Sequence, residues 1–372
     1  MTGSLHIITL NIPHPPDYGG MIDSYYRIRA LHEAGIGIHL HCFEYGRKHS
    51  EELEKFCKSV NYYPRDTSFS GHLSLMPYTV NSRNSEKLLE NLSRDDSPIL
   101  FDGLHATYWL GHPFLAGRQK YVRVHNIEHF YYRTLARFEK NPAKKLYYTF
   151  ESFKLKRFEK ILKEADILLT VSTTDQEYFE SRYHNAELIP SFHPCDHAES
   201  IEGTGDYIIY HGDLSVNENI IVAEYLISQI FSKLPYKCII AGKNPPASLG
   251  AMALSFKNIS IIPNPDNDQM SDLIRNAQIN LLFAIAANGL KLKLLIALFS
   301  GRHCLVNSNI IKGTMLGQAC SIEDSADGII EKIHDLMKRP FTKQVIADRE
   351  NLLEVYSNNF NAKRLLQLVF PV

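Results

Sequence analysis

Residues 279–301 read INLLFAIAANGLKLKLLIALFSG, a pattern that predicts a strand, a short loop and a helix. Residues 279–285 form a continuous apolar run, which is typical of a strand buried on both faces of a parallel sheet. Residues 286–289 interrupt the run. Apolar residues then recur at helical spacing over 291–299, and Gly301 marks the predicted end of the helix.

This junction is a candidate phosphate site. A strand that feeds a helix through a glycine-containing loop directs backbone N–H groups and the positive end of the helix dipole at one point. Gly289 supplies the glycine, and Lys291 and Lys293 place two cations in the first turn. The dipole disfavours cations there, so an anionic ligand would offset their cost. The alternative interpretation is that both lysines are solvated surface residues.

Length and composition favour a globular protein of two domains. The chain has 372 residues and a formal net charge of −1, so bulk attraction to nucleic acid is not indicated. No apolar run reaches the roughly 20 residues that span a bilayer. The six cysteines contain no CxxC pair, and we interpret them as reduced thiols of a cytoplasmic protein.

The first half alternates predicted strands and helices, which indicates a doubly wound parallel sheet. The first strand, 5–12, is followed by a loop that ends in Gly19 and Gly20 and by a helix over 21–34. A glycine pair between strand and helix lets the backbone approach a ligand closely. The spacing is not GxGxxG, so a dinucleotide fingerprint is not supported. A plain glycine-containing loop remains the alternative.

A predicted strand over 121–124 leads into the sequence HNIEH at 125–129. Ligands of such sheets bind at the carboxyl ends of strands, and His125 could hydrogen-bond a ligand or move a proton near neutral pH. A histidine satisfied by a neighbouring backbone group is the alternative. Metal binding is not supported, because the zinc protease motif needs Glu directly after the first His and Asn126 stands there.

Residues 133–163 are predicted to be helical and are rich in Lys, Arg and aromatic residues. Two interpretations stay open for the part over 140–163. It could dock on an anionic membrane surface, or it could be an ordinary helix whose aromatic residues cover the sheet.

The predicted domains are 1–192, a linker over 193–206, a second α/β domain over 207–355, and a C-terminal helix over 356–372 that returns to the first domain. The linker contains Pro194, Gly203 and Gly205 and has no hydrophobic periodicity. Two capping boxes are predicted to open helices, one over 174–177 and one formed by Ser215 and Glu218.

Taken together, several motifs resemble the retaining GT-B glycosyltransferases often called family 4, over nearly the whole chain. In the first domain they are the Gly19-Gly20 loop, HEAG at 32–35, RVHNIEH at 123–129, VS at 171–172 and Asp175. In the second domain they are YHGDL at 210–214, AGKNP at 241–245 and GLKLKLL at 289–295, followed by Ala297 and SG at 300–301.

The resemblance implies two Rossmann-like domains that face each other across a cleft, with the nucleotide-sugar donor mainly on the second and a glycan or lipid-linked acceptor mainly on the first. It implies no metal and no cofactor besides the substrate. His125 would act beside the transferred sugar. The donor would be bound by Gly19, Gly20, Gly212, Asp213, Lys243, Asn288, Gly289, Leu290, Lys291 and Lys293, and the acceptor side would include Asp102, Asn126 and Glu128.

The implied activity is hexosyl transfer with retention, in surface polysaccharide or glycolipid synthesis, by a cytoplasmic or inner-membrane-associated enzyme. The family usually carries two glutamates at positions that correspond to Asn288 and Ile296, and a basic pair where His211-Gly-Asp213 stands. Two alternatives therefore stay open: a catalytically degenerate GT-B scaffold that binds a partner, and a sugar-nucleotide epimerase or phosphorylase on the same fold.

Overall fold

The computed structural model describes residues 3–68, 71, 74–286 and 289–371. The chain divides into two compact units, one comprising Met1–Pro194 with Asn358–Val372 and the other Cys195–Ser357. Each unit has its own buried apolar core on both faces of its sheet.

The first unit contains, within the described residues, a seven-stranded sheet whose paired strands are all parallel. Its spatial order is β3-β2-β1-β4-β5-β6-β7. The strands are β1 (Ser4–Thr9), β2 (Gly37–Glu44), β3 (Ser59–Pro64), β4 (Ile99–Asp102), β5 (Lys120–Val124), β6 (Ile167–Thr170) and β7 (Ala186–Leu188). The helices are α1 (Gly19–Glu33), α2 (Glu51–Glu54), α3 (Tyr78–Asn81), α4 (Glu86–Leu92), α5 (Glu128–Phe138), α6 (Pro142–Phe158) and α7 (Thr173–Tyr183).

The second unit repeats this plan with a sheet of six strands among the residues that the structure describes, in the order β10-β9-β8-β11-β12-β13. The strands are β8 (Tyr207–Asp213), β9 (Lys237–Lys243), β10 (Ile259–Pro263), β11 (Ile279–Leu282), β12 (His303–Val306) and β13 (Ser321–Ile322). The helices are α8 (Asn217–Tyr225), α9 (Ala247–Ala253), α10 (Asn267–Asn276), α11 (Leu292–Ser300), α12 (Ser308–Ile311), α13 (Ala326–Leu336) and α14 (Lys343–Leu353).

The last helix, α15 (Asn358–Val369), belongs to the first unit, where it packs on α1. Its buried Leu365 and Val369 join the same core as Leu5 and Ile28. The predicted fold class, two α/β units with parallel sheets, is confirmed.

Several local predictions differ from the structure. The helical region predicted over 133–163 is broken into α5, α6 and a 3₁₀ segment, Glu159–Glu164. Asn141 breaks it, because its side chain accepts hydrogen bonds from the N–H groups of Ala143 and Lys144 and so caps α6. The strand predicted over 279–285 ends at Leu282.

Both predicted capping boxes are wrong. The cap of α7 is Ser172, whose hydroxyl accepts from the N–H of Asp175. Ser215 instead donates to Asp213 at 2.6 Å, and α8 begins at Asn217 without a side-chain cap. His211, Gly212 and Asp213 extend β8, because they pair with the end of β9.

Candidate functional site

The candidate site of the first unit lies at the carboxyl edge of its sheet. β1 lies between β2 and β4, so the direction of strand progression reverses there, and ligands of open α/β sheets bind at such points. The structure brings three predicted positions together at this edge. The Ser24 hydroxyl lies within hydrogen-bond distance of the Gly20 carbonyl and the Asp102 carboxylate, and Asp102 binds His125.

His125 is held by a buried network of charged side chains. Its Nε2–H donates to Asp102 Oδ1 at 2.8 Å, and its Nδ1 lies 3.8 Å from Asp23 Oδ2. Arg27 pairs with both carboxylates at 2.6 Å, and Arg123 pairs with Asp23 at 2.8 Å. Only the His125 side chain is measurably open to solvent, at 13%. The network therefore fixes one imidazole at the rim of the sheet.

The arginines keep both carboxylates ionised. Burial alone would raise the pKa of Asp102, but Arg27 and then His125 hold that pKa well below its usual range. Burial likewise opposes ionisation of Asp23, yet Arg123 and Arg27 lower its pKa. Asp23, Asp102 and His125 are close enough to bind a metal ion together. Two guanidinium groups already balance the two carboxylates, so we assign these residues to an ion-pair network.

Two predicted acceptor-side residues follow His125. Asn126 is half-buried, and Glu128 is buried at the start of α5. The Oε2 atom of Glu128 lies 3.6 Å from Nε2 of His105, which has no hydrogen-bond partner among the described residues. Burial, with Asp175 and Glu159 nearby, raises the pKa of Glu128 to about 8.

Burial, with Arg83 nearby, lowers the pKa of His105 to about 3. Burial therefore favours the uncharged form of both groups, a protonated carboxyl group beside a neutral imidazole. Such groups exchange hydrogen bonds with hydroxyls without leaving a buried charge.

The second unit presents a comparable edge, where β8 lies between β9 and β11. Gly212 and Asp213 end β8, and Lys243 ends β9. Gly289 has a φ of 56°, a left-handed conformation that glycine adopts without strain. It is followed by half-buried Leu290 and Lys291, with Lys291 directly before α11. Asn288 lies outside the described residues.

The loop after β11 is tied down by two charged side chains. Glu218 Oε1 accepts from the N–H groups of Ile285 and Ala286 at 3.2 and 3.1 Å. Lys293 Nζ donates to the Phe283 carbonyl at 3.2 Å. The Lys293 ammonium also lies 5.3 Å from the centre of the Tyr210 ring.

Enclosure lowers the pKa of Lys293 to about 8, with Lys291 adding to the effect. In this conformation Lys293 supports the loop. Lys291, directly before the first turn of α11, is the better placed to meet an anion.

Sequence reasoning missed Asp23, Arg27, Arg123 and Glu218. The first three had a recognisable signal, because a charged residue inside an apolar strand or on the apolar side of a helix is rarely solvated. Arg123 is flanked by buried Val122 and Val124. Glu218 had no such signal, since its partners lie more than 60 residues further along the chain.

The chain matches no protein-family model. It is 22% identical over 385 residues to an uncharacterized 44.6 kDa protein in the cps region of Klebsiella pneumoniae, covering 98% of each chain. Among solved structures it is similar to TarM, with a TM-score of 0.69 and 12% identity over 99% of each chain. It is also similar to Anabaena HepE in complex with UDP and glucose, with a TM-score of 0.66 and 10% identity over 99% of each chain.

A third similar structure is the UDP-forming α,α-trehalose-phosphate synthase of Burkholderia xenovorans, with a TM-score of 0.63 and 9% identity. It is matched over 99% of this chain and all of that one. These likenesses extend over both α/β units. The chain therefore has the fold of the GT-B glycosyltransferases.

Proposed function

We propose that this protein is a retaining glycosyltransferase that moves a hexose from a nucleotide sugar to a glycan or lipid-linked acceptor. The observation that carries the proposal is His125, fixed by Asp102 at the carboxyl edge of the first sheet with one edge open to solvent. A positioned imidazole beside a glycine-opened helix is suited to orienting a sugar.

The second unit supplies the donor site in this proposal. The N–H groups at the start of α11 and the cation of Lys291 would stabilise the diphosphate, and Gly212 and Lys243 would border it. Charge builds up on the leaving phosphate as the glycosidic bond breaks, and fixed dipoles and cations stabilise that charge without reorganising. The departing phosphate would take the acceptor proton from the front face, so no covalent protein nucleophile and no metal ion is required.

The acceptor side of the proposal rests on Asp102, Asn126 and Glu128. The neutral Glu128–His105 pair would hydrogen-bond a sugar hydroxyl. Surface polysaccharide synthesis is the proposed context, because the curated relative is described as a protein of a cps region. We propose that the enzyme acts in the cytoplasm at the inner face of the membrane, where a lipid-linked acceptor would be found. None of the helices that the structure describes combines the length and apolar character needed to cross a bilayer.

The test is a panel of nucleotide sugars with and without chelator, read by nucleotide release and by NMR of the product's anomeric carbon. We expect one donor to turn over without metal and with retention. His125→Ala should lower kcat by about a hundredfold, as loss of a group that stabilises the transition state does. His197→Ala, whose side chain is 76% exposed, is the matched control. Inversion, or equal loss in both variants, would contradict the proposal.

A catalytically degenerate scaffold is the second candidate, because half-buried Ile296 stands on α11 where the resembled family carries a ribose-binding glutamate. Ile296→Glu separates the two. If the chain is an enzyme, this variant should bind its donor about tenfold more tightly, the value of one added charged hydrogen bond. A scaffold would turn over no donor in either form. Interconversion of a nucleotide sugar without acceptor would indicate an epimerase instead.

A further inference from the structure

Helix α6 points large apolar side chains at solvent. Leu146, Phe150 and Phe153 are 58%, 59% and 66% exposed. They are spaced i, i+4 and i+7, so they lie along one side of the helix. The opposite side carries Glu151, Ser152 and Leu155, all buried. This arrangement reverses the usual one, in which a surface helix buries its aromatic residues.

Two acidic residues of this region, Glu151 and Glu159, are buried and make hydrogen bonds inside the protein. Glu151 accepts from the N–H of Tyr78 at 2.8 Å and pairs with Lys154 at 3.1 Å. Glu159, buried just after α6, binds His129 at 3.1 Å and the Tyr178 hydroxyl at 2.8 Å. The outer surface is therefore more cationic than the sequence of the segment indicates.

Exposed basic residues flank the three apolar side chains in the sequence. They are Lys144, Lys145, Lys156, Arg157, Lys160 and Lys163. The exposed acid of the same stretch, Glu164, lies 3.6 Å from Lys163. The apolar centre thus lies on a helix that is capped by Asn141 and packed on α5 through Ser152. Four of the six cations lie on the same helix, and Lys160 and Lys163 lie in the 3₁₀ segment that follows it.

We infer that the outer face of α6, defined by Leu146, Phe150 and Phe153 with its flanking cations, docks this protein on a membrane surface that contains anionic lipids. Aromatic and aliphatic side chains enter the boundary between headgroups and acyl chains, while lysines meet lipid phosphates. A protein partner fits less well, because protein interfaces are depleted in lysine relative to the rest of the protein surface. The inference goes beyond the proposed transfer reaction and does not depend on it.

The test measures binding of the full chain to phosphatidylcholine vesicles with and without phosphatidylglycerol, in the absence of nucleotide sugar. We expect binding only to the anionic vesicles, and weaker binding as salt is raised. The double variant Phe150→Ser with Phe153→Ser should lower the affinity at least about tenfold. The matched control is Leu254→Ser, at an 88% exposed apolar residue of the second unit, which should leave the affinity unchanged. Thermal melts check that each variant is folded.

Three results would overturn the inference: no binding to anionic vesicles, equal binding to neutral ones, or the same loss in Leu254→Ser. A concentration-dependent dimer that the double variant abolishes, without vesicle binding, would assign the face to a second copy of the chain instead. Because vesicle binding needs no donor or acceptor, its failure is distinct from failure of the proposed glycosyl transfer.

Discussion

At the scale of single residues, the main feature is the buried network of charged side chains around His125, here called the ion ring: Asp23, Arg27, Asp102 and Arg123. Asp23 lies 100 residues from its partner Arg123, and Asp102 lies between them in the chain. Removing one member of a buried pair leaves the other charge uncompensated, which costs more than the intact pair contributes. The side chains of the ion ring that hold His125 in position therefore also stabilise the first unit.

We predict that Asp102→Asn destabilises the first unit by about 3–5 kcal/mol, because it leaves Arg27 with only one carboxylate. Urea unfolding followed by Trp109 fluorescence reports this, since the single tryptophan of the chain lies in that unit. The control is Asp96→Asn, at an exposed position of the same unit, which should change stability by less than about 0.5 kcal/mol. Equal effects of the two variants would mean that the ion ring contributes no stability.

At the scale of elements, the close approach of β8 and β9 shapes the donor edge. A Cβ atom at Gly242 would lie 1.9 Å from the carbonyl oxygen of Gly212. The contact is with backbone, which cannot rotate away. The ends of β8 and β9 carry Asp213 and Lys243, and they can stay paired only if position 242 is glycine.

We predict that Gly242→Ala forces these strand ends apart and destabilises the second unit by about 1–3 kcal/mol. Gly250→Ala is the matched control, because a Cβ there meets nothing within 4 Å and alanine favours a helix such as α9. Calorimetry should show a lowered melting transition for the first variant and an unchanged or raised one for the second. An unshifted transition in Gly242→Ala would show that the edge can relax.

At the scale of the whole molecule, both units bury histidines that burial keeps neutral. Their pKa values are lowered at His6, His41, His105, His211 and His303. His41 shows how this is achieved: it is 1% exposed, and its ring nitrogens are satisfied by His6 at 2.9 Å and the Tyr63 hydroxyl at 2.7 Å.

We predict that stability falls as the pH drops below about 6.5, the pKa of an unfolded histidine. These histidines have a lower pKa in the folded than in the unfolded state, so below about pH 6.5 the unfolded state binds more protons. Each histidine that stays neutral in the folded state therefore lowers the free energy of unfolding by about 1 kcal/mol between pH 7.5 and pH 5.5. His41→Gln keeps hydrogen-bonding capacity without a titrating ring and should lessen the loss seen by Trp109 fluorescence. A parent protein equally stable at both pH values would contradict the prediction.

Much of the fold follows from local pattern. Buried apolar runs predicted β5 and β11, and the glycine-containing loop before α11 was also predicted. Gly19 and Gly20 were predicted to end a loop, but they form the first residues of α1. The ends and caps of helices were harder to predict. Ser215 and Glu218 have the spacing of a capping box, but Ser215 donates to Asp213 and Glu218 accepts from the N–H of Ile285. For the site, His125 and Asp102 were predicted to belong to it. Asp23, Arg27 and Arg123 were not. Their apolar surroundings in the sequence signal burial, but the pairs Arg27–Asp102 and Arg123–Asp23 join residues far apart in the chain.

The sequence by itself determined the alternation of strands and helices and the division into two α/β units, because hydrophobic periodicity and glycine loops are local properties. The tertiary structure alone decided which charges pair and which side of α6 faces solvent. Those outcomes depend on contacts between residues far apart in the chain: Asp23 with Arg123, Glu151 with Tyr78, and Glu159 with His129. A helical segment that carries both acidic and aromatic residues can pack with either side toward the protein. Here the contacts of Glu151 and Glu159 hold these acidic residues inside, and Phe150 and Phe153 are left exposed.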